Sequence, residues 1–113
     1  MRIDDYGFGY IVIDGKRYTS DVIIYRDRVY DGWWRKEGHR LHLSDLEDVI
    51  REKPEILIIG TGRFGVMKVP DEVVRRLEEM GIKVIVLKTK EACKKYNELK
   101  DKHYVVAALH LTC

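Results

Sequence analysis

The stretch ILIIGTGRFGVMKVPD, Ile56 to Asp71, decides the fold. Ile56–Ile59 is a short continuous apolar run, the pattern of a strand covered on both faces. It meets a glycine-rich turn, Gly60-Thr61-Gly62-Arg63-Phe64-Gly65. Pro70 fits the first turn of a helix, with Asp71 and Glu72 favourable against the helix dipole. Val73, Val74, Leu77 and Met80 form the apolar stripe of that helix, and Gly81 suits its C-terminal cap.

Downstream, the alternation continues. Ile82–Leu87 reads as a second apolar strand. Thr89 is expected to cap a helix over residues 90–102 with Ala92, Tyr96 and Leu99 inward. Val105–Leu109 is a strand of small apolar residues. Strands alternating with helices predict an α/β arrangement with a largely parallel sheet. Just upstream, Ser44-Asp45-Leu46-Glu47 has the spacing of a capping box, and Pro54 closes the helix it would start.

The first 43 residues are strand-rich and read as a meander. Tyr6–Ile13 is aromatic and β-branched, Asp14-Gly15 is a hairpin turn signal, and Lys16–Thr19 returns. Asp21–Arg26 and Val29–Trp34 form a further pair, and His39–Leu43 a short extended segment. These strands are expected to add antiparallel members or a small flanking sheet.

The chain of 113 residues is sized for one domain with one core. The reading is a strand-rich part over residues 1–43 and a helix/strand part over 44–113. Its apolar fraction of 45% excludes a disordered chain. No apolar run reaches the roughly 20 residues of a membrane helix, and the acidic start lacks a signal-peptide core, so a cytoplasmic protein is expected. A net charge of +2 gives no general field for nucleic acid or anionic membrane. Charged residues make up 35%, Gln is absent and Asn97 is the one Asn, a tendency of hyperthermophile proteins. Cys93 and Cys113 provide no disulfide framework.

Several constellations could carry chemistry. Gly60–Gly65 matches the glycine spacing of a dinucleotide loop. However, four residues separate its last glycine from Pro70, the helix opens with two acids, and the next strand ends in Lys88. No cofactor is therefore expected. Two loops leaving the carboxyl ends of parallel strands could instead converge on a small anion or a carboxylate: Gly60, Thr61, Gly62 and Arg63 from one, Lys88 and Thr89 from the other. The same residues also suit a plain solvated loop. Cys93 lies near the start of the Thr89 helix among lysines, which would favour thiolate, although a small buried residue is the simpler reading. Asn97, one turn on, is expected to hold a loop backbone such as the glycine turn, or else to touch the ligand.

His39 and His42 resemble a metal pair, but residues three apart in a strand face opposite sides, so no metal is expected. Tyr25, Tyr30, Trp33 and Trp34 interleave with Arg26, Arg28, Arg35, Lys36 and Arg40. This is the composition of a nucleic-acid stacking surface, but Asp27, Asp31 and Glu37 interrupt it. Alternation sends one of Trp33 and Trp34 inward and the other outward, the outward one an anchor for a protein interface with Arg35 and His39 alongside. No catalytic triad, P-loop or carboxylate pair is visible, so a non-catalytic interaction module is expected.

Three stretches carry a family resemblance: Gly32-Trp33-Trp34-Arg35-Lys36-Glu37-Gly38-His39, Ile58-Ile59-Gly60-Thr61-Gly62, and Thr89–Leu99 followed by Val106-Ala107-Ala108-Leu109. Together they resemble the small α/β domain of archaeal and bacterial proteins of unknown function. That family also includes mitochondrial NADH dehydrogenase (complex I) assembly factor 3 and a vertebrate adipogenesis-associated protein. The resemblance implies a three-layer fold, with a central mixed five-stranded sheet and helices on one face. Helix plus β structure would cover the other face. One strand would be antiparallel, expected to be Val105–Leu109. It also implies a protein partner and assembly work rather than catalysis; a homodimer is a separate expectation that the sequence leaves open.

Overall fold

A computed structural model describes all residues, Met1 to Cys113. Two sheets form. β1 (Ile3–Gly7), β2 (Tyr10–Ile13) and β3 (Lys16–Tyr18) make an antiparallel meander. The second sheet has five strands: β4 (Val22–Ile24), β5 (Val29–Asp31), β6 (Ile56–Thr61), β7 (Lys83–Leu87) and β8 (Val105–His110), in the spatial order β5-β4-β8-β6-β7. The helices are α1 (Glu47–Glu52), α2 (Asp71–Glu79) and α3 (Thr89–Leu99), with a 3₁₀ turn over Leu43–Leu46.

Alternation along the strands builds two cores. Ile56 and Ile58 of β6, with Val105, Ala107 and Leu109 of β8, face α3 and the meander. Leu57, Ile59, Val106 and Ala108 face α1 and α2 with Trp33, Leu41 and Met67. Successive strand side chains point to opposite faces, so a continuous apolar run serves both layers. The three-layer arrangement matches the expectation. α2 carries the chain from β6 out to β7, and α3 carries it back across β6 to β8. The two helices lie on opposite faces, as crossovers of one hand travelling in opposite directions require.

Four local expectations are corrected. β8 is central but parallel to β6; the antiparallel strand is β4, which pairs with β8 on one side and β5 on the other. Tyr6–Ile13 is two strands, because Phe8-Gly9 turns the chain with φ +82° at Gly9. Asp45, rather than Ser44 and Glu47, clamps the first helical turn: its Oδ2 accepts the His42 amide at 2.8 Å and its Oδ1 the Lys36 amide at 3.0 Å. Thr89 is the first residue of α3, and its hydroxyl is used elsewhere.

Gly60 sets how closely α3 can approach the sheet. A Cβ there would lie 2.8 Å from Leu109 Cδ2 and 3.2 Å from the Thr89 Cα. Gly60→Ala should cost about 1–3 kcal/mol through overpacking. Gly38→Ala, where nothing lies within 4 Å, should stay within about 0.5 kcal/mol of the parent. Urea unfolding of both variants checks the contrast.

Candidate functional site

Because β4 runs against its neighbours, it begins at the rim where β6, β7 and β8 end. Val22 pairs with Leu109, which sets Asp21 beside His110. Asp21 is the hub of that rim. Its carbonyl accepts the Trp33 amide at 2.9 Å, and its Oδ1 accepts the Leu111 amide at 2.8 Å. Its Oδ2 lies 2.8 Å from His110 Nδ1 and 2.8 Å from Arg35 Nη1.

Arg35 and His110 are 8% and 5% exposed, while Asp21 is only partly buried. Burial alone would raise the Asp21 pKa. The His110 hydrogen bond, the Leu111 amide and Arg35 outweigh it and hold the carboxyl below its usual range. Arg35 Nη2 donates to the Gly38 carbonyl at 3.1 Å and also approaches His110 Nδ1 at 3.0 Å. Nδ1 cannot serve an anion and a cation at once. We assign its proton to the shorter Asp21 contact, since Nη2 already has the Gly38 carbonyl. The Arg35–Asp21 pair is a close ionic contact without an aligned hydrogen bond: Arg35 Nε and Nη1, and His110 Nε2, lack hydrogen-bond partners.

The rim also holds the two loops singled out in the sequence, and they do meet. The Thr89 amide donates to the Gly62 carbonyl at 3.1 Å. The Thr89 hydroxyl accepts from the Gly62 amide at 2.8 Å and donates to the His110 carbonyl at 2.6 Å. The last residues then lie over the glycine turn: the Arg63 amide donates to the Thr112 carbonyl at 2.7 Å, and the Val66 amide to the Cys113 carbonyl at 3.0 Å.

These contacts seal the anion crevice expected between the loops. Thr61 and Thr89 are buried, and the Thr61 hydroxyl is spent on the Leu87 carbonyl at 3.2 Å. Gly60 and Gly62 face packed atoms, while the Arg63 and Lys88 side chains are exposed. Cys93 takes the simpler of its two readings, and the thiolate alternative is corrected. It lies in the core against the meander, and burial pushes its thiol up to about 12, the opposite of an activated thiolate. His103 contacts Glu55 and His110 contacts Asp21, and neither hydrogen-bonds Cys93. Asn97 does hold a backbone, but that of β1: its amide brackets Ile3, accepting from the Ile3 amide at 3.0 Å and donating to its carbonyl at 2.8 Å.

Residues 3–110 match the family described as "Protein of unknown function (DUF498/DUF598)". The chain belongs to that family. A conserved hypothetical protein from Pyrococcus horikoshii OT3 is 32% identical over the whole of both chains, with a TM-score of 0.87. An outer membrane protein from Bartonella henselae is 25% identical over 98% of this chain and 94% of its own, with a TM-score of 0.82. The "13 kDa major membrane protein" of Francisella tularensis subsp. holarctica (strain LVS) is 28% identical over 91 residues, 80% of this chain and 68% of that one. No helix of this family member is long and apolar enough to cross a membrane.

Of the interface residues expected from the sequence, Trp33 and Arg35 are internal. Trp33 packs against Leu41 and Val49 in one core, its indole N–H donates to the Asp45 carbonyl at 3.1 Å, and Arg35 stacks over its ring at 4.7 Å. Trp34 is 77% exposed, so the alternation placed one Trp in and one out. His39 is exposed and reaches Cys113, not His42, which contacts Glu37 instead. Of the aromatic-basic strands, Tyr25 is buried under Arg28 and Arg26 lies over Tyr104, while Tyr30 and Trp34 are exposed.

Sequence reasoning missed Asp21, Arg35 as a buried group, and His110. Only the pairing of β4 with β8 unites them, and no local spacing reports that. Asp21→Asn should cost about 3–5 kcal/mol, because it strands the Arg35 charge in the interior. Chemical denaturation measures it, and a loss under about 1 kcal/mol would mean that the rim does not depend on this anion.

Proposed function

We propose that this protein is a non-catalytic interaction module that meets a protein partner through the turn carrying Trp34. The observation that supports the reading is one exposed Trp fixed between two buried residues. Trp33 and Arg35 lock the backbone on either side, so Trp34 is presented with little ordering cost on binding. Tyr30, also exposed, and Lys36 flank it around a shallow depression whose floor includes Ile23 and Trp33. A partner offering an apolar slot with a polar rim fits this surface.

The glycine turn supplies a second contact region. Phe64 and Phe8 stand exposed with ring centroids 6.2 Å apart, and Val66 is exposed beside them. The resemblance to the complex I assembly factor supports assembly work as the role. A second copy of the chain is one partner that fits. The membrane-protein names of two relatives favour a complex at a membrane surface as a second reading.

Trp34→Ala should weaken partner capture from cell extract by tenfold or more, with the melting temperature within a few degrees of the parent. Sedimentation equilibrium identifies the case in which the partner is the chain itself. Equal capture by both proteins would refute the Trp34 surface.

A further inference from the structure

The rim carries a second cluster that the interaction reading leaves unused. His39, His110 and Cys113 each offer one ligand atom, and the three atoms lie within 4.8 Å of one another. Cys113 Sγ is 3.5 Å from His39 Nε2. Tetrahedral zinc, with Zn–S about 2.3 Å and Zn–N about 2.0–2.1 Å, holds sulfur and nitrogen roughly 3.5 Å apart. The two imidazoles meet edge to face, with centroids 5.9 Å apart.

The buried histidine points to a ligand. Its Nδ1 is held by Asp21, and its Nε2 is buried with no partner. A histidine that donates one ring N–H to a carboxylate and leaves the other nitrogen's lone pair free is arranged as metal-binding histidines are. Gly62 makes room for the third ligand. A Cβ there would fall 2.6 Å from the Cys113 carbonyl group and 2.9 Å from His110 Cδ2, the carbon bonded to Nε2. The Arg63 and Val66 amides fix the backbone that carries Cys113.

We infer that His39, His110 and Cys113 form a binding site for a thiophilic divalent cation, best matched by zinc. Both histidines bind through Nε2 and Cys113 as thiolate, its proton passing to solvent as the metal binds. The fourth position is left to water or an exogenous ligand. Two imidazoles and one thiolate suit zinc and are poor ligands for magnesium or calcium.

The test uses the reduced full chain stripped with a chelator. Cobalt(II) should give a thiolate-to-cobalt charge-transfer band and the visible bands of tetrahedral geometry. Zinc(II) should displace it at one equivalent. Zinc should also slow alkylation of Cys113, while Cys93 labels slowly with or without metal. Cys113→Ser and His39→Gln change surface side chains outside the core, so both should fold and lose at least tenfold in zinc affinity. His110→Gln should do the same if its circular dichroism is unchanged. Absence of the charge-transfer band, or unchanged zinc affinity in both Cys113→Ser and His39→Gln, would overturn the site.

Discussion

Asp21 ties together pieces of chain that the pairing of β4 with β8 brings to one rim. Through its backbone and side chain it reaches Trp33, Arg35, His110 and Leu111. These contacts tie the start of β4, the aromatic turn and the end of β8 at one rim. A buried ion cluster of this kind is weak evidence for net stability, since desolvation offsets much of the attraction. Its effect here is positional. With Arg35 fixed, Trp34 has to face out, and with His110 fixed, one of its nitrogens has to face the closing segment of the chain.

The fold was legible wherever the pattern was local. The apolar runs of β6 and β8, the Asp14-Gly15 turn and the inward Val73 and Leu77 of α2 each follow from period and turn chemistry, whereas Met80, read into the same stripe, caps the helix end and is exposed. The direction of β8 was legible in the helix/strand alternation, which predicts parallel neighbours, and the misreading came only from treating its small residues as the mark of the antiparallel strand. Its small residues signal a crowded central position, and parallel and antiparallel neighbours crowd it equally. The Ser44 capping box failed because Asp45, one residue on, accepts two amides from the preceding turn and takes over the role.

The site was legible only in part. The two loops do leave the same rim, as strand order requires, but adjacency did not leave them open. Thr89 has the composition of a ligand-binding helix start and spends its hydroxyl inside the protein. Cys93 has lysines nearby in sequence and a core around it in space, and burial dominates its chemistry. Asn97, the one amide-bearing residue in the chain, was rightly read as a backbone holder, with the wrong backbone assigned. The His39, His110 and Cys113 grouping depends on the closing residues lying over Gly62, a tertiary contact that no spacing predicts.

Two surfaces thus share one support. The exposed Trp34 adjoins Arg35 in the chain, the His–His–Cys cluster includes His110, and Arg35 and His110 both meet Asp21. The most direct test of that claim is the protonation site of His110, read from long-range proton–nitrogen correlation NMR of the metal-free protein. The account predicts that Nδ1 carries a slowly exchanging proton shared with Asp21, with Nε2 unprotonated when the ring is neutral. A neutral ring protonated at Nε2, or one averaging freely between tautomers, would contradict it.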